Sequence, residues 1–202
     1  MTRERNGWET TSSQSHFQND HLAVTTDHVR SPARNQPRPW TVVHRKRAVA
    51  IAPMTPEGGI VLIRQERIPI RTAIWEVPAG QIDQPGNVSR NTIEEVALRE
   101  LHEETGYKLA PGGELIALGD FFTSPGLTNE QVYLFLARPV QASAGGPAHD
   151  EWESIVECRV FTPDELLGMI DRNEICNGNT LAICSHLFAR GILASQNRIR
   201  VD

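Results

Sequence analysis

The chain has 202 residues, enough for one domain with a proper core. Its formal net charge of −5 excludes the basic surface that a nucleic-acid backbone requires, so nucleic acid is not an expected partner. No apolar run approaches the ~20 residues of a membrane span, and three cysteines, Cys158, Cys176 and Cys184, at these spacings make neither a disulfide framework nor a zinc knuckle.

Residues 1–37 are rich in Ser, Thr, Asn, Gln, Arg and Pro, with scattered apolar positions such as Trp8, Phe17, Leu22 and Val24. That composition buries too little surface to offset ordering entropy. It predicts a polar N-terminal tail or arm over 1–37, partly disordered, with roughly the first twenty residues mobile and 24–29 an arm or edge strand. The N-terminus lacks the apolar core of a signal peptide, and unpaired thiols suit a reducing cytosol, so a cytoplasmic protein without a membrane span is expected. A single domain is expected over 38–202, with no internal repeat.

From Trp40 the texture changes. Residues 40–44 and 47–52 are rich in β-branched side chains and read as strands. A Thr-Pro-Glu-Gly-Gly turn over 55–59 separates them from a further strand at 60–63, which leaves through Arg64-Gln65-Glu66-Arg67. Residues 73–77 form the next strand, followed by Pro78, Ala79 and Gly80. The segment 84–90, with Pro-Gly and Asn, reads as a surface loop.

A helix follows. Ile93, Val96, Ala97 and Leu101 recur at the i, i+3, i+4 spacing of one stripe. Thr92 is the predicted N-cap with Glu95 closing a capping box, Glu95 and Arg99 make an i,i+4 pair, and Gly106 terminates the helix. Glu100, Glu103 and Glu104 fall together on another face, because residues three and four apart are neighbours. Like charges at that spacing repel by roughly 0.2–0.5 kcal/mol per pair, a repulsion that a hard divalent cation such as Mg²⁺ or Mn²⁺ converts into ligation.

After the helix, 115–118 and 132–137 read as strands around a Ser124-Pro125-Gly126 turn. A flexible loop over 142–149 leads into the acidic run Asp150-Glu151-Trp152-Glu153 and another strand. Thr162-Pro163-Asp164-Glu165 opens a helix, with Thr as N-cap, Pro at its first position and Glu closing the box. A turn over 177–180 starts a last helix through Leu187.

The stretch Gly80-Gln81, then Arg99-Glu100-Leu101-His102-Glu103-Glu104-Thr105-Gly106-Tyr107, closely resembles the Nudix box, the loop-helix signature of Nudix hydrolases. One departure stands out. Gly80 to Arg99 is five residues longer than the pattern, and the box's seventh position is Gly86 or Asn91 instead of Glu, which removes an outer carboxylate of the metal cluster. Arg64-Gln65-Glu66-Arg67, the Ser-Pro-Gly turn with its following Glu130, the acidic loop and the Thr-headed last helix resemble the ADP-ribose pyrophosphatase branch of the family. The resemblance runs over roughly residues 40–189.

That resemblance implies an α/β fold, a Nudix-type α/β/α sandwich with a mixed central sheet, the box helix on one face and the later helices on the other. It implies Mg²⁺-dependent hydrolysis of the pyrophosphate bond of ADP-ribose or a related ADP-sugar, giving AMP and a sugar phosphate. The alternatives are another nucleoside diphosphate sugar, such as GDP-mannose or UDP-glucose, or a non-catalytic domain that senses ADP-ribose. Carried over by position, the metal ligands are Glu100, Glu104, Glu153 and the backbone carbonyl of Ala79, with Mg²⁺ expected and Mn²⁺ a substitute. Glu103 and Glu151 are the catalytic candidates, the latter as general base, and Arg99 orients carboxylates. Arg64, Arg67, Glu76 and Trp40 are the substrate-binding candidates, Trp40 by stacking on the base. The implied partners are a small-molecule nucleotide sugar and a second copy of the chain in a homodimer joined through its N-terminal region.

Overall fold

The computed structural model describes residues 7–84, 86, 88–148 and 154–194. Ten strands and three helices follow one another as β1 (Glu9–Gln18), β2 (Leu22–Ser31), β3 (Arg34–Arg45), β4 (Ala48–Pro53), β5 (Ile60–Arg67), β6 (Thr72–Glu76), β7 (Ala79–Gln81), α1 (Arg90–Thr105), β8 (Tyr107–Phe122), β9 (Gln131–Ala142), β10 (Ile155–Phe161), α2 (Pro163–Asp171) and α3 (Gly178–Ala189).

They form three sheets. β4 lies at the centre of the first, in the order β7-β4-β9-β8, and pairs with β9 in parallel and with β7 antiparallel. The second runs β10-β5-β6 and is antiparallel throughout. All six residues of β4 are buried, as a strand covered on both faces requires.

Its alternating side chains divide the core. Ala48, Ala50 and Ala52 point to one side and pack with Leu166, Met169, Ile183 and Leu187 of α2 and α3. Val49 and Ile51 point to the other and pack with Ile93, Ala97 and Leu101 of α1. The result is the α/β/α sandwich with a mixed sheet and, among the described residues, the glutamate-rich helix alone on its face.

Local signals were met unevenly. α2 carries the full capping box, Thr162 accepting from the Glu165 amide while the Glu165 carboxylate accepts from Thr162. Gly106 caps α1 in the left-handed region. The start of α1 differs from the sequence expectation: Ser89 is the N-cap, accepting from the Thr92 amide. A hydroxyl three residues earlier adds most of a turn to the helix, and Thr92 lies inside it.

The largest difference lies at the N-terminus. Composition favours a mobile tail over the first twenty or so residues, whereas Glu9–Gln18 is a strand, paired antiparallel with β2, which pairs in turn with β3. Alternating Ser and Thr satisfy this ladder with backbone bonds and add cross-strand side-chain bonds, such as Ser13 to Asp27 at 2.6 Å. All ten residues of β1 remain exposed, so the strand forms by backbone pairing without joining the core.

Candidate active site

α1 is placed by its apolar stripe, and that placement aims two carboxylates inward. Glu100 and Glu104 stand one helical turn apart, with only 5% and 2% of their surface exposed. Charged groups are buried this far only when partners hold them. The Ala79 amide donates to Glu104 Oε2 at 2.8 Å. Gly80 is pressed so closely against Glu100 that a Cβ there would land on its carboxylate. This contact explains the glycine at the head of the loop: β7 and the two carboxylates share one packed seam.

Arg99 forks across two acids, with Nη2 on Glu100 Oε1 at 2.5 Å and Nη1 on Glu103. Glu95 is therefore not its partner. The guanidinium is about half exposed and Glu103 partly so, so Arg99 clamps the outer edge of the patch and draws Glu103 aside. Consequently Glu100, Glu103 and Glu104 do not converge as a triad. Among the described residues, no three acidic, histidine or cysteine side chains could hold a metal ion by themselves.

Does the donor set nevertheless fit a divalent cation? Two buried carboxylates with hard oxygens lie beside the Ala79–Gly80 backbone, which suits such an ion. A further oxygen donor is needed, and the expected one, Glu153, lies outside the described residues, as does Glu151. The elongated connection over 83–89 carries no glutamate toward the cluster; its Asp83 instead binds Lys46 at 2.7 Å.

The remaining candidates separate. Arg67 and Glu76 meet as a two-pronged ion pair, Nε to Oε1 at 2.8 Å and Nη2 to Oε2 at 2.9 Å. Asn177, the N-cap of α3, donates to the same carboxylate at 2.7 Å. Glu76 is 1% exposed, and burial raises its pKa above the ordinary carboxylate value against the opposing pull of Arg67 and Asn177. The group thus ties β5, β6 and α3 together. Asn177 was legible in the sequence only as a turn residue; its second role needs the fold.

Arg64 points the other way. It pairs across the ladder with Trp75, whereas Ile63 pairs with Glu76, so strand alternation puts Arg64 on the face that looks toward α2 and α3. Trp40 stands on β3, in the N-terminal sheet, more than half exposed at 57%. Its indole N–H donates to the Gly126 carbonyl at 3.1 Å. The Ser-Pro-Gly turn is thereby fastened to β3, with Val43 bonded to Leu127 and Arg45 to Asn129 and Glu130.

A mixed sheet clasped by helices, with a glycine-headed loop laid against inward glutamates, defines an α/β/α domain that carries a pair of buried carboxylates on one helix. Comparison with known proteins then supplies the family: residues 44–182 match the NUDIX domain, and the chain belongs to the Nudix hydrolase family. It is 32% identical over 155 residues to the ADP-ribose pyrophosphatase of Bacillus subtilis (strain 168), an alignment covering 77% of this chain and 79% of that one. To the GDP-mannose pyrophosphatase of Enterobacter sp. (strain 638) it is 34% identical over 141 residues, 67% and 70% of the two chains. Its fold superposes on a crystal structure of an ADP compounds hydrolase with a TM-score of 0.72 at 15% identity, over 95% of this chain and all of the other. Nudix hydrolases generally use a divalent metal ion. Among the described residues no helix is long and apolar enough to cross a membrane.

Proposed function

We propose that this protein is a Mg²⁺-dependent pyrophosphatase that cleaves ADP-ribose or a related ADP-sugar into AMP and a sugar phosphate. The observation that carries the reading is the pair of buried carboxylates, Glu100 and Glu104, fixed on α1 against the Ala79–Gly80 backbone. A negative pair at this depth suits a substrate that is itself an anion, with cations between them. In this reading Glu100, Glu104, the Ala79 carbonyl and Glu153 hold Mg²⁺, with Mn²⁺ able to replace it. The ion, when bound, neutralises phosphate oxygens and lowers the pKa of its water.

The chain's own groups do the rest. Arg99 holds Glu100 and Glu103 in place through charge-assisted hydrogen bonds. Glu103 and Glu151 are the candidates to accept a proton from the attacking water, Glu151 as the principal base. Trp40 offers an exposed ring for stacking on the base. Arg67 reaches substrate only with the part of its guanidinium that Glu76 leaves accessible. A small-molecule nucleotide sugar in the cytoplasm is the partner, and a second copy of the chain completes a homodimer.

GDP-mannose is the second reading, favoured by the 34% identity to a GDP-mannose pyrophosphatase. A panel of ADP-ribose, GDP-mannose and UDP-glucose, with nucleoside monophosphate measured, decides between them; the proposal requires ADP-ribose to have the highest kcat/KM. Glu104→Gln tests the site itself and excludes a non-catalytic sensing domain. Hydrolysis should fall by at least two orders of magnitude, roughly the loss seen when one charge-stabilising group is removed, with the melting temperature retained. Unchanged turnover would take Glu104 out of the machinery.

A further inference from the structure

The N-terminal sheet is fastened through β3 to the loop over 124–130, and one of the fastenings is a histidine. His44 Nδ1 lies 3.1 Å from Asn129 Nδ2. On the other side of the ring, Nε2 lies 2.9 Å from Thr25 Oγ1 and 3.7 Å from Asp27 Oδ2, both on β2. The ring and its carboxylate neighbour are largely enclosed, with 27% and 14% of their side chains exposed.

The backbone fixes which of these atoms carry protons. The Arg45 amide donates to Asn129 Oδ1 at 3.1 Å. A backbone N–H only donates, so that atom is the oxygen and the carboxamide cannot be turned over. Asn129 Nδ2 is therefore the donor toward His44, and Nδ1 must accept. In this arrangement the ring is neutral, with its single proton on Nε2, directed at Thr25 and Asp27.

We propose that His44 is a pH-sensitive latch between the N-terminal sheet and the 124–130 loop, closed by the neutral ring and opened by its protonation. A proton added at Nδ1 sets an N–H against the Asn129 amino group, and Asn129 cannot offer its oxygen while the Arg45 amide holds it. The new charge is drawn to the sheet. The carboxylate that faces it is Asp27 of β2, itself bonded by Ser13 of β1 at 2.6 Å. The other charged groups beside the joint, Arg45 of β3 and Glu130 of the loop, bond each other at 2.9 Å. Protonation thus strengthens the His44–Asp27 pair and gives up Asn129. The Val43–Leu127 and Trp40–Gly126 bonds contain no titratable atom, so the loop loosens around Asn129 without detaching.

The Arg45 amide reports the latch, because its acceptor is the carboxamide that His44 holds. Its protection against hydrogen exchange, corrected for the intrinsic rate, is measured at pH 8 and pH 5, which bracket the range in which histidines titrate. In the wild-type protein it should fall roughly 5- to 10-fold, the scale of one hydrogen bond, while the Leu134 amide in the centre of the sheet keeps its protection. His44→Asn places an oxygen acceptor near the Nδ1 position and has no proton to gain, so its Arg45 protection should be the same at both pH values. The wild-type Asn129 side-chain amide resonance should move over the same range, a readout that needs no variant. Wild-type Arg45 protection that is level between pH 8 and pH 5, an equal fall at Leu134, or a fall that persists in His44→Asn would each overturn the latch. So would an Asn129 resonance that stays in place.

Discussion

At the scale of single residues, the Arg67–Glu76 pair and the Gly80–Glu100 contact do different work. Arg67→Ala leaves a 1% exposed carboxylate held by Asn177 alone. Losing one partner of a buried pair costs about 3–5 kcal/mol when both are enclosed; with Arg67 39% exposed, about 2–3 kcal/mol is expected in chemical denaturation. The pH dependence has a definite sign. Burial raises the folded pKa of Glu76, so its contribution is complete below the unfolded carboxylate value and is lost as pH rises through the raised one. Glu76→Gln lacks that response, so its deficit in melting temperature against wild type should widen as pH falls from 7 toward 4.5. Gly80→Ala acts on the chemistry instead: the new methyl must displace the Glu100 carboxylate, and a shift of about 1 Å in such a group costs roughly 10²-fold in rate. Assays of kcat/KM should show that loss.

At the scale of elements, much was legible because the signals are local. The Thr162 box, Gly106 and the apolar stripe of α1 each depend on residues within a turn or two of one another, and each is present in the fold. Thr162→Ala should lower the melting temperature by about 2–4 °C, the equivalent of ~1 kcal/mol for a chain of this size. What was not legible depends on distant partners. Ser89 and Thr92 are both competent caps, and the fold uses Ser89, whose hydroxyl accepts from the Thr92 amide. The glutamates at 100, 103 and 104 look equivalent in a helical projection. Only the packed seam with Ala79 and Gly80 shows that two are buried while the third is held aside by Arg99. Arg64 and Arg67 look like one motif in sequence, yet a three-residue separation on a strand sends them to opposite faces.

At the scale of the whole molecule, the N-terminal sheet sets the open problem of assembly. β1 is an edge strand with every residue exposed, and Trp8, Phe17, Trp40 and Leu127 are each more than half exposed. An unpaired strand edge with exposed aromatic side chains beside it invites pairing. The sheet is nonetheless fixed in direction, since Trp40, Val43 and Arg45 bind it to the loop over 124–130. A rigid, unpaired edge of this kind suits a second copy of the chain. Sedimentation should therefore give twice the 22.5 kDa chain mass. Replacing Trp8 and Phe17 together by Ser should return the single-chain mass and expose the 9–18 amides to rapid hydrogen exchange, while the α1–β4 core keeps its protection. Wild-type protein sedimenting as a single chain at micromolar concentration would show that this sheet faces water and that the site is built from one copy alone.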